Sequence, residues 1–153
     1  MQALELKVPP PIVMTLIGCG MWGIASITGP VVGVSFGRGI IALTIMLVGI
    51  GFSLAGVISF RRAKTTVNPL KPEATTSLVS SGVYRVTRNP MYVGMFFVLI
   101  GWGVLLASVW TLLGPMAFII YINRFQIDPE ERVLARLFGA DFATYKEKVR
   151  RWL

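Results

Sequence analysis

Residues 89–123 read NPMYVGMFFVLIGWGVLLASVWTLLGPMAFIIYIN and contain no charged side chain. A transmembrane helix needs about 20 apolar residues, so this run of 35 is too long for one crossing and tight for two. A break near Ala107 and Ser108 would divide it into a close helical hairpin. Gly114-Pro115 lies inside the second arm and predicts a kink there. The stretch therefore predicts a membrane-embedded hairpin.

Two further uncharged runs precede this hairpin. No charge lies between Lys7 and Arg38, or in the 22 residues from 39 to 60. At about 1.5 Å per residue, 22 helical residues extend about 33 Å, which is enough to cross a bilayer. We expect an all-α integral membrane protein with about four transmembrane helices, in a single domain over residues 1–153. The predicted spans are residues 12–29, 39–60, 89–107 and 109–125.

The composition agrees with a membrane protein. Of the 153 residues, 54% are hydrophobic and 14% are charged, whereas a typical soluble domain has about 25% charged residues. This excludes a disordered chain, a coiled coil and an ordinary soluble domain. The formal net charge of +8 does not indicate a nucleic-acid partner, because the basic residues flank apolar runs and no stacking aromatics accompany them. Such residues are typical of side chains that meet membrane lipid headgroups.

The basic residues also predict the topology. With four spans, every Lys and Arg except Arg38 lies on one side of the membrane, mostly in the loop of residues 61–88 and in the C-terminal segment. By the positive-inside rule that side is cytoplasmic, and both termini are cytoplasmic with it. No acidic residue lies in a predicted span, which disfavours a proton-coupled transporter.

The C-terminal segment predicts an amphipathic helical cap over residues 128–152 on the cytoplasmic face. Asp128 is a candidate N-cap, Pro129 suits the first helical position, and two glutamates occupy the first turn. An apolar stripe follows at helical spacing, and Gly139 can end the helix before a second one begins. We expect this cap either to anchor the chain at the membrane surface or to close over a site there.

The residue types present narrow the chemistry. The chain has no histidine and one cysteine, Cys19. Histidine-based acid–base catalysis, histidine metal sites and thiolate clusters are therefore excluded, and we expect no metal. Polar side chains instead concentrate in residues 80–94 and 123–146. These stretches flank the hairpin, so the hairpin brings them together on one membrane face.

Short motifs lie in these two stretches and in the hairpin between them. They are Gly82, Tyr84, Arg88-Asn89-Pro90, Tyr92, Gly94, Gly101-Trp102-Gly103, Glu130-Glu131, Phe138-Gly139, Phe142 and Tyr145. Their order and spacing resemble the isoprenylcysteine carboxyl methyltransferase family and its relatives, the phospholipid N-methyltransferases, over roughly residues 60–153. The chain departs from the family at Asn89, where the family has histidine, and at Phe142, where it has tyrosine. Asn89 cannot titrate, so it cannot accept a proton, but it keeps its hydrogen-bonding groups.

The resemblance implies a methyltransferase that uses S-adenosylmethionine (SAM) as cofactor and takes a lipophilic or lipid substrate from the bilayer. Arginine can clamp a carboxylate, and glutamate can accept hydrogen bonds from ribose hydroxyls or an ammonium group. The candidate catalytic residues are Arg88, Arg124 and Glu131. The candidate cofactor-binding residues are Tyr84, Asn89, Pro90, Tyr92, Gly94, Gly101, Gly103, Glu130 and Glu131.

Several functions remain open on the sequence. A carboxylate acceptor needs no base, which fits a chain without histidine slightly better than an amine acceptor does, although water could take the proton of an amine. N-methylation of a phospholipid or small amine, and S-methylation of a thiol, are the alternatives within the family. A membrane glutathione transferase-like enzyme has a similar length and four spans. A non-enzymatic four-helix membrane protein predicts no cofactor binding.

Overall fold

The structure, a computed structural model, describes residues 5–28, 35–65, 70 and 72–153. These residues form helices and turns and contain no β-strand, so the predicted all-α class is confirmed. The α-helices are α1 (Pro10–Thr28), α2 (Phe36–Arg62), α3 (Pro90–Leu106), α4 (Leu113–Ile122) and α5 (Asp128–Lys148). Short 3₁₀ turns lie at Pro72–Ala74, Gly82–Arg85 and Val109–Leu112, and a π-helix at Asn123–Ile127. Residue 29 of the first predicted span, and residues 66–69 and 71 of the predicted loop, lie outside the described residues.

The first two α-helices have the length and the surface of membrane helices. α1 has 19 residues, α2 has 27, and both are apolar enough to cross a bilayer. Only 17% of the most apolar part of each helix is buried inside the protein, so large side chains such as Leu16, Ile41 and Leu54 are exposed. A helix that exposes apolar side chains over most of its surface suits lipid rather than water. α3 is also apolar but shorter, with 17 residues.

Contacts between distant parts of the chain show the direction of α1 relative to α3 and α4. Near its start, the Gln126 side chain donates a 2.8 Å hydrogen bond to the carbonyl oxygen of Val8, so this end of α1 lies beside the π-helix that follows α4. At the other end, the hydroxyls of Thr28 and Ser108 lie 3.1 Å apart, beside the α3–α4 turn. α1 is therefore antiparallel to α4 and parallel to α3.

Helices α2 and α3 pack antiparallel through small residues. The buried residues of α2 are Ala42, Gly49 and Gly56, spaced seven apart, and they face a surface of α3 that includes Gly94 and Gly101, also seven apart. A Cβ atom on Gly49 or Gly94 would collide with backbone atoms of the opposite helix. Glycine therefore lets the two backbones touch, as at close helix contacts in membranes. The seven-residue spacing is that of a left-handed helix pair.

The turn between α3 and α4 falls at Ala107 and Ser108, where the sequence predicts a break. Ala107 adopts a left-handed conformation with φ of 54°, and Thr111 donates both its backbone N–H and its hydroxyl to the carbonyl oxygen of Ser108. Gly114-Pro115, where the sequence predicts a kink, lies at the start of α4, directly after the 3₁₀ turn Val109–Leu112. Pro115 lies in the first turn of α4, where its missing N–H is not required for a helical hydrogen bond.

The C-terminal helix does not begin with a cap at Asp128, so that prediction is wrong. α4 continues through the π-helix Asn123–Ile127 into α5, and Asp128 itself has helical backbone angles. Pro129 explains the wider π-helical turn, because its ring crowds the carbonyl oxygen four residues earlier and it donates no hydrogen bond. At Gly139 the structure has φ of 45° and ψ of −116°, which interrupt the helical geometry of α5 where the sequence predicts a helix end.

Candidate active site

A cavity opens at the end of the helices where the 3₁₀ turn Gly82–Arg85, the start of α3 and the helix α5 meet. Its volume is about 100 Å³. Six of the residues predicted for the site lie on its wall: Tyr84, Arg88, Asn89, Tyr92, Glu130 and Glu131. Apolar and aromatic side chains complete the wall, among them Phe60, Leu78, Val79, Met91, Leu134, Phe142 and Tyr145.

The Arg88 guanidinium forms much of one side of the cavity. Its Nη2 atom donates to Glu131 Oε1 at 2.8 Å, and its Nη1 atom donates to the carbonyl oxygens of Val149 at 2.6 Å and Lys146 at 3.2 Å. Its Nε atom is buried and finds no acceptor among the described residues. A buried donor without a partner is costly unless a ligand or water satisfies it. Protein groups thus hold both Nη atoms of Arg88, and the enclosed Nε atom is the donor that they leave unpaired.

Glu131 is surrounded by positive charge. Besides Arg88, Arg151 binds its carboxylate at 2.7 Å and Lys146 lies 3.7 Å from it. Burial alone would raise the pKa of Glu131, but the hydrogen bonds from Arg151 and Arg88 outweigh burial and hold the pKa below its usual value. Glu131 is therefore ionised at neutral pH. We refer to Arg88, Glu131, Lys146 and Arg151 together as the charged cluster.

Glu130 is adjacent in sequence but lies in a different environment. Its Oε1 atom accepts a 2.6 Å hydrogen bond from the Tyr92 hydroxyl. Burial raises the pKa of Glu130 to about 8, against the opposing effect of the Tyr92 hydrogen bond and with a further increase from the Glu131 charge. At pH 7 Glu130 is therefore mostly protonated while Glu131 is ionised. Two carboxyl groups with opposite pKa shifts in one cavity are typical of active sites.

Aromatic rings form the rest of the polar wall. The Tyr145 hydroxyl donates to the backbone carbonyl oxygen of Tyr84 at 2.7 Å, and the Tyr84 ring packs edge-on against Phe60 at a centroid distance of 5.3 Å. Burial raises the pKa of both tyrosine hydroxyls, so both stay neutral. With Tyr92 and Phe142, five aromatic rings line the cavity. Aromatic faces attract cations, so the wall suits a ligand with a positive centre.

The C-terminal tail packs across the segment that carries Arg88. The Arg151 carbonyl oxygen accepts hydrogen bonds from the Thr87 hydroxyl at 3.1 Å and from Asn89 Nδ2 at 2.9 Å. The Arg88 backbone N–H donates to the Arg150 carbonyl oxygen at 2.9 Å. These contacts use the side-chain donor of Asn89. They fix residues 87–89 at the start of α3, directly before the buried Pro90.

Other predicted site residues lie away from the cavity. Arg124 binds Glu5 at 2.8 Å on the side of the molecule where the described N-terminal residues pack. Gly94 and Gly101 are at the α2–α3 contact, and Gly103 faces the α3–α4 turn and α1. The structure thus separates the predicted set into residues that line a cavity and residues that hold helices together.

Sequence reasoning missed Thr87 and Arg151. Thr87 is fully buried, which its sequence neighbours do not reveal. Arg151 stands among basic residues that predict headgroup contacts. One signal was available: neither Glu130 nor Glu131 has a basic residue three or four positions later on its helix, so their partners have to come from elsewhere.

Comparison with known proteins identifies the family. The family model described as phospholipid methyltransferase matches residues 38–141. The chain belongs to this family. The resemblance read from the motifs is thereby confirmed, and the match covers α2 to most of α5 but ends before Phe142, Tyr145 and the tail.

Several relatives are named as methyltransferases. The chain is 31% identical over 110 residues to protein-S-isoprenylcysteine O-methyltransferase A of Arabidopsis thaliana, covering 70% of this chain and 54% of the relative. It is 41% identical over 73 residues to the Xenopus laevis protein-S-isoprenylcysteine O-methyltransferase, covering 48% of this chain and 25% of the relative. An uncharacterized Haemophilus influenzae protein is 43% identical over 63 residues, its whole length and 41% of this chain.

The relatives limit how much of their function can be assigned to this chain. The chain spans about half the length of the plant methyltransferases it matches. No solved structure matches the chain. Within the described residues, no group of three or more His, Cys, Asp or Glu side chains is arranged to hold a metal ion.

Proposed function

We propose that this membrane protein is a SAM-dependent methyltransferase that transfers a methyl group to a carboxylate oxygen of a lipophilic molecule entering from the bilayer. The observation that carries the proposal is the cavity at the bundle end, whose wall holds Arg88 beside two carboxyl groups, one protonated and one ionised at pH 7. The family match and the names of the relatives support methyl transfer as the reaction.

The residues on the wall fit the groups that SAM carries. The Arg88 guanidinium on the cavity wall suits the cofactor carboxylate. Glu130, which is mostly protonated at pH 7, would exchange hydrogen bonds with the ribose hydroxyls. The rings of Tyr84 and Tyr92 suit a sulfonium centre. When bound, SAM supplies an electrophilic methyl group, and the role of this chain is to orient the acceptor and keep water out.

The charge state of Glu130 supports a carboxylate acceptor. A carboxylate is a nucleophile at neutral pH and needs no base. An ionised Glu130 would repel it, but burial raises the pKa of Glu130 to about 8, so at pH 7 the side chain is neutral. Turnover of a carboxylate acceptor should therefore fall as the pH rises through 8. A rising rate over the same range would instead favour an amine acceptor, with the ionised Glu130 taking its proton.

The helix arrangement supports four crossings with the cavity on the cytoplasmic side. The start of α1, the end of α2, the start of α3 and the end of α4 lie at one end of the molecule. The basic residues Arg61, Arg62, Arg85 and Arg88 lie at that end too, whereas Arg38 begins α2 at the other. The positive-inside rule assigns the end with the cavity to the cytoplasm, where SAM has access.

The test is calorimetric titration of the purified protein with S-adenosylhomocysteine, the product form of the cofactor. Arg88→Lys keeps the charge but removes the planar donor group, and Arg124→Lys makes the same change at an arginine outside the cavity. We expect saturable binding to the wild-type protein, at least tenfold weaker binding to Arg88→Lys, and affinity within twofold of wild type for Arg124→Lys. Thermal unfolding of each variant checks that it is folded.

Two outcomes would overturn the proposal. One is the absence of S-adenosylhomocysteine binding by folded wild-type protein both in detergent and in lipid nanodiscs. The other is saturable binding of glutathione in its place, which would indicate a glutathione transferase-like enzyme.

A further inference from the structure

We propose that Arg151 is a positioning residue: it holds Glu131, and through Glu131 the Arg88 guanidinium, in the orientation that lines the cavity. Arg151 does not line the cavity itself. The inference deepens the proposed function and rests on it, because the cavity wall that Arg151 orients is the surface proposed to bind SAM.

The geometry of the contact is that of a two-point clamp. Arg151 Nε donates to Glu131 Oε1 at 3.2 Å, and Arg151 Nη2 donates to Glu131 Oε2 at 2.7 Å. Both carboxylate oxygens are thus bound by one planar guanidinium, an arrangement that fixes the carboxylate in rotation as well as in position. Arg88 Nη2 shares Oε1 at 2.8 Å, so the Glu131 carboxylate fixes one side of the Arg88 guanidinium, while the carbonyl oxygens of Lys146 and Val149 hold its Nη1 atom.

Arg151 is itself held by Asp128 on its solvent-facing side. Its Nη1 atom lies 3.0 Å from Asp128 Oδ1, and its side chain is one-third exposed, at 33%. The side chains of Arg88 and Glu131 are only 11% and 12% exposed. Arg151 therefore connects the solvent-facing side of α5 to the buried pair of Arg88 and Glu131. From this position it supports the residues of the site without being one of them.

The tail supplies a matched control next to Arg151. The neighbouring Arg150 is exposed, and among the described contacts it contributes only its backbone oxygen. Arg150→Gln and Arg151→Gln change the net charge equally at adjacent positions. Both substitutions keep the backbone hydrogen bonds of the tail to residues 87–89, so a difference between the variants reports on the Arg151 side chain.

The pH dependence of S-adenosylhomocysteine affinity separates positioning from simple loss of structure. The titratable groups around Glu131 are Arg88 before α3, Lys146 on α5, Arg151 on the tail and the neighbouring Glu130, which stays protonated over the range tested below. Loss of the Arg151 hydrogen bonds leaves burial less opposed, so the pKa of Glu131 rises. Glu131 then protonates and releases Arg88 at a pH where the wild-type residue is still ionised.

The experiment measures S-adenosylhomocysteine affinity between pH 5 and pH 7. We expect the wild-type protein and Arg150→Gln to change less than twofold over this range. Arg151→Gln should bind about fivefold more weakly at pH 7 and lose a further tenfold by pH 5, and Arg151→Lys, which keeps the charge, should recover part of the affinity. In a Glu131→Gln background, Arg151→Gln should add less than twofold, because its effect acts through Glu131.

Failure of this inference is distinct from failure of the proposed function. If the wild-type protein does not bind S-adenosylhomocysteine, the proposed function fails. If the wild-type protein binds and Arg151→Gln matches it in affinity and pH profile, the role of Arg151 alone is overturned. An equal loss in Arg151→Gln with and without Glu131 would also overturn it, since the side chain would then act by another route.

Discussion

The α2–α3 contact and the charged cluster are held together by different forces. At Gly49 and Gly94 the helices meet because side chains are absent, and the contact is made by backbone atoms and van der Waals packing. In the charged cluster, Arg88 and Arg151 meet Glu131 through directed hydrogen bonds between opposite charges. The glycine contact therefore has no room for a larger side chain. The charged cluster is less sensitive to side-chain size than to a change in charge or in the geometry of its hydrogen-bond donors.

The most damaging change should be at the glycine contact. A Cβ atom on Gly49 would meet the Gly94 carbonyl oxygen and Val98 backbone nitrogen, and backbone atoms cannot move aside without separating the helices. We expect Gly49→Leu to lower the free energy of unfolding by about 3 kcal/mol or more, measured by denaturant titration in detergent micelles. Gly51→Leu, two positions along the same helix with nothing within 4 Å, should leave stability nearly unchanged. Equal losses in both variants would show that the contact is not close.

A smaller effect should follow removal of charge from the cluster. Glu131→Gln leaves two arginines without their carboxylate in a site where Arg88 is 11% exposed, and breaking such a pair from one side is destabilising. We expect a loss of about 2 kcal/mol in the free energy of unfolding. Glu147→Gln, an exposed glutamate on the same helix, is the control and should cost almost nothing. Similar values for the two variants would contradict the structural role of the cluster.

The pH dependence of stability should distinguish the two adjacent glutamates. The pKa of Glu130 is raised from 4.5 to about 8 in the folded protein, so the unfolded chain releases this proton first and stability falls as the pH rises between these values. Above pH 8 the loss is complete. Glu130→Gln does not titrate, so its stability relative to wild type should rise by at most about 1.4 kcal/mol per pH unit between pH 5 and pH 8 and then level off. Thermal unfolding over this range measures the difference, and a constant offset would rule out the raised pKa.

The smallest effect is expected at the exposed ion pair beside the N-terminal residues. Arg132 binds Glu5, but its side chain is 57% exposed, and exposed ion pairs contribute little to stability. We expect Arg132→Gln to change the free energy of unfolding by less than about 0.5 kcal/mol, with no effect on S-adenosylhomocysteine affinity. A loss comparable to that of Glu131→Gln would mean that this pair supports the site, which the geometry does not indicate.

The sequence predicted the parts of the fold that depend on local pattern. Runs of uncharged residues located α2 and α3, and the excess length of the run of residues 89–123 located the turn at Ala107. The cap at Asp128 was wrong because helix-start signals are local, whereas α4 reaches Asp128 already helical. A proline in the first turn of a new helix and a proline that widens an existing one look the same in sequence.

The site was predictable as a set of residue types but not as a geometry. The motifs around Arg88 and Glu131 led to residues that do line one cavity. The same motifs include Gly94 and Gly101, which pack helices, because glycine is used both for close ligand approach and for close helix contact. The clamp by Arg151 depends on a contact across 20 residues, and no periodic pattern reports such a distance.

The pairing of residues before α1 with the α4–α5 junction determines an order of assembly. Leu6 and Val8 hydrogen-bond to Phe125 and Gln126, and the last of these contacts joins residues 118 positions apart. At ribosomal rates of 5–20 residues per second, the earlier partner waits about 6 to 24 s for the later one to be synthesised. The α2–α3 pair joins residues much closer in sequence and is complete sooner. During biosynthesis the middle of α1 can pack against α3 through the Gly18–Trp102 hydrogen bond before α4 is made, and a chain that stops before the π-helix would lack the contacts that hold the start of α1.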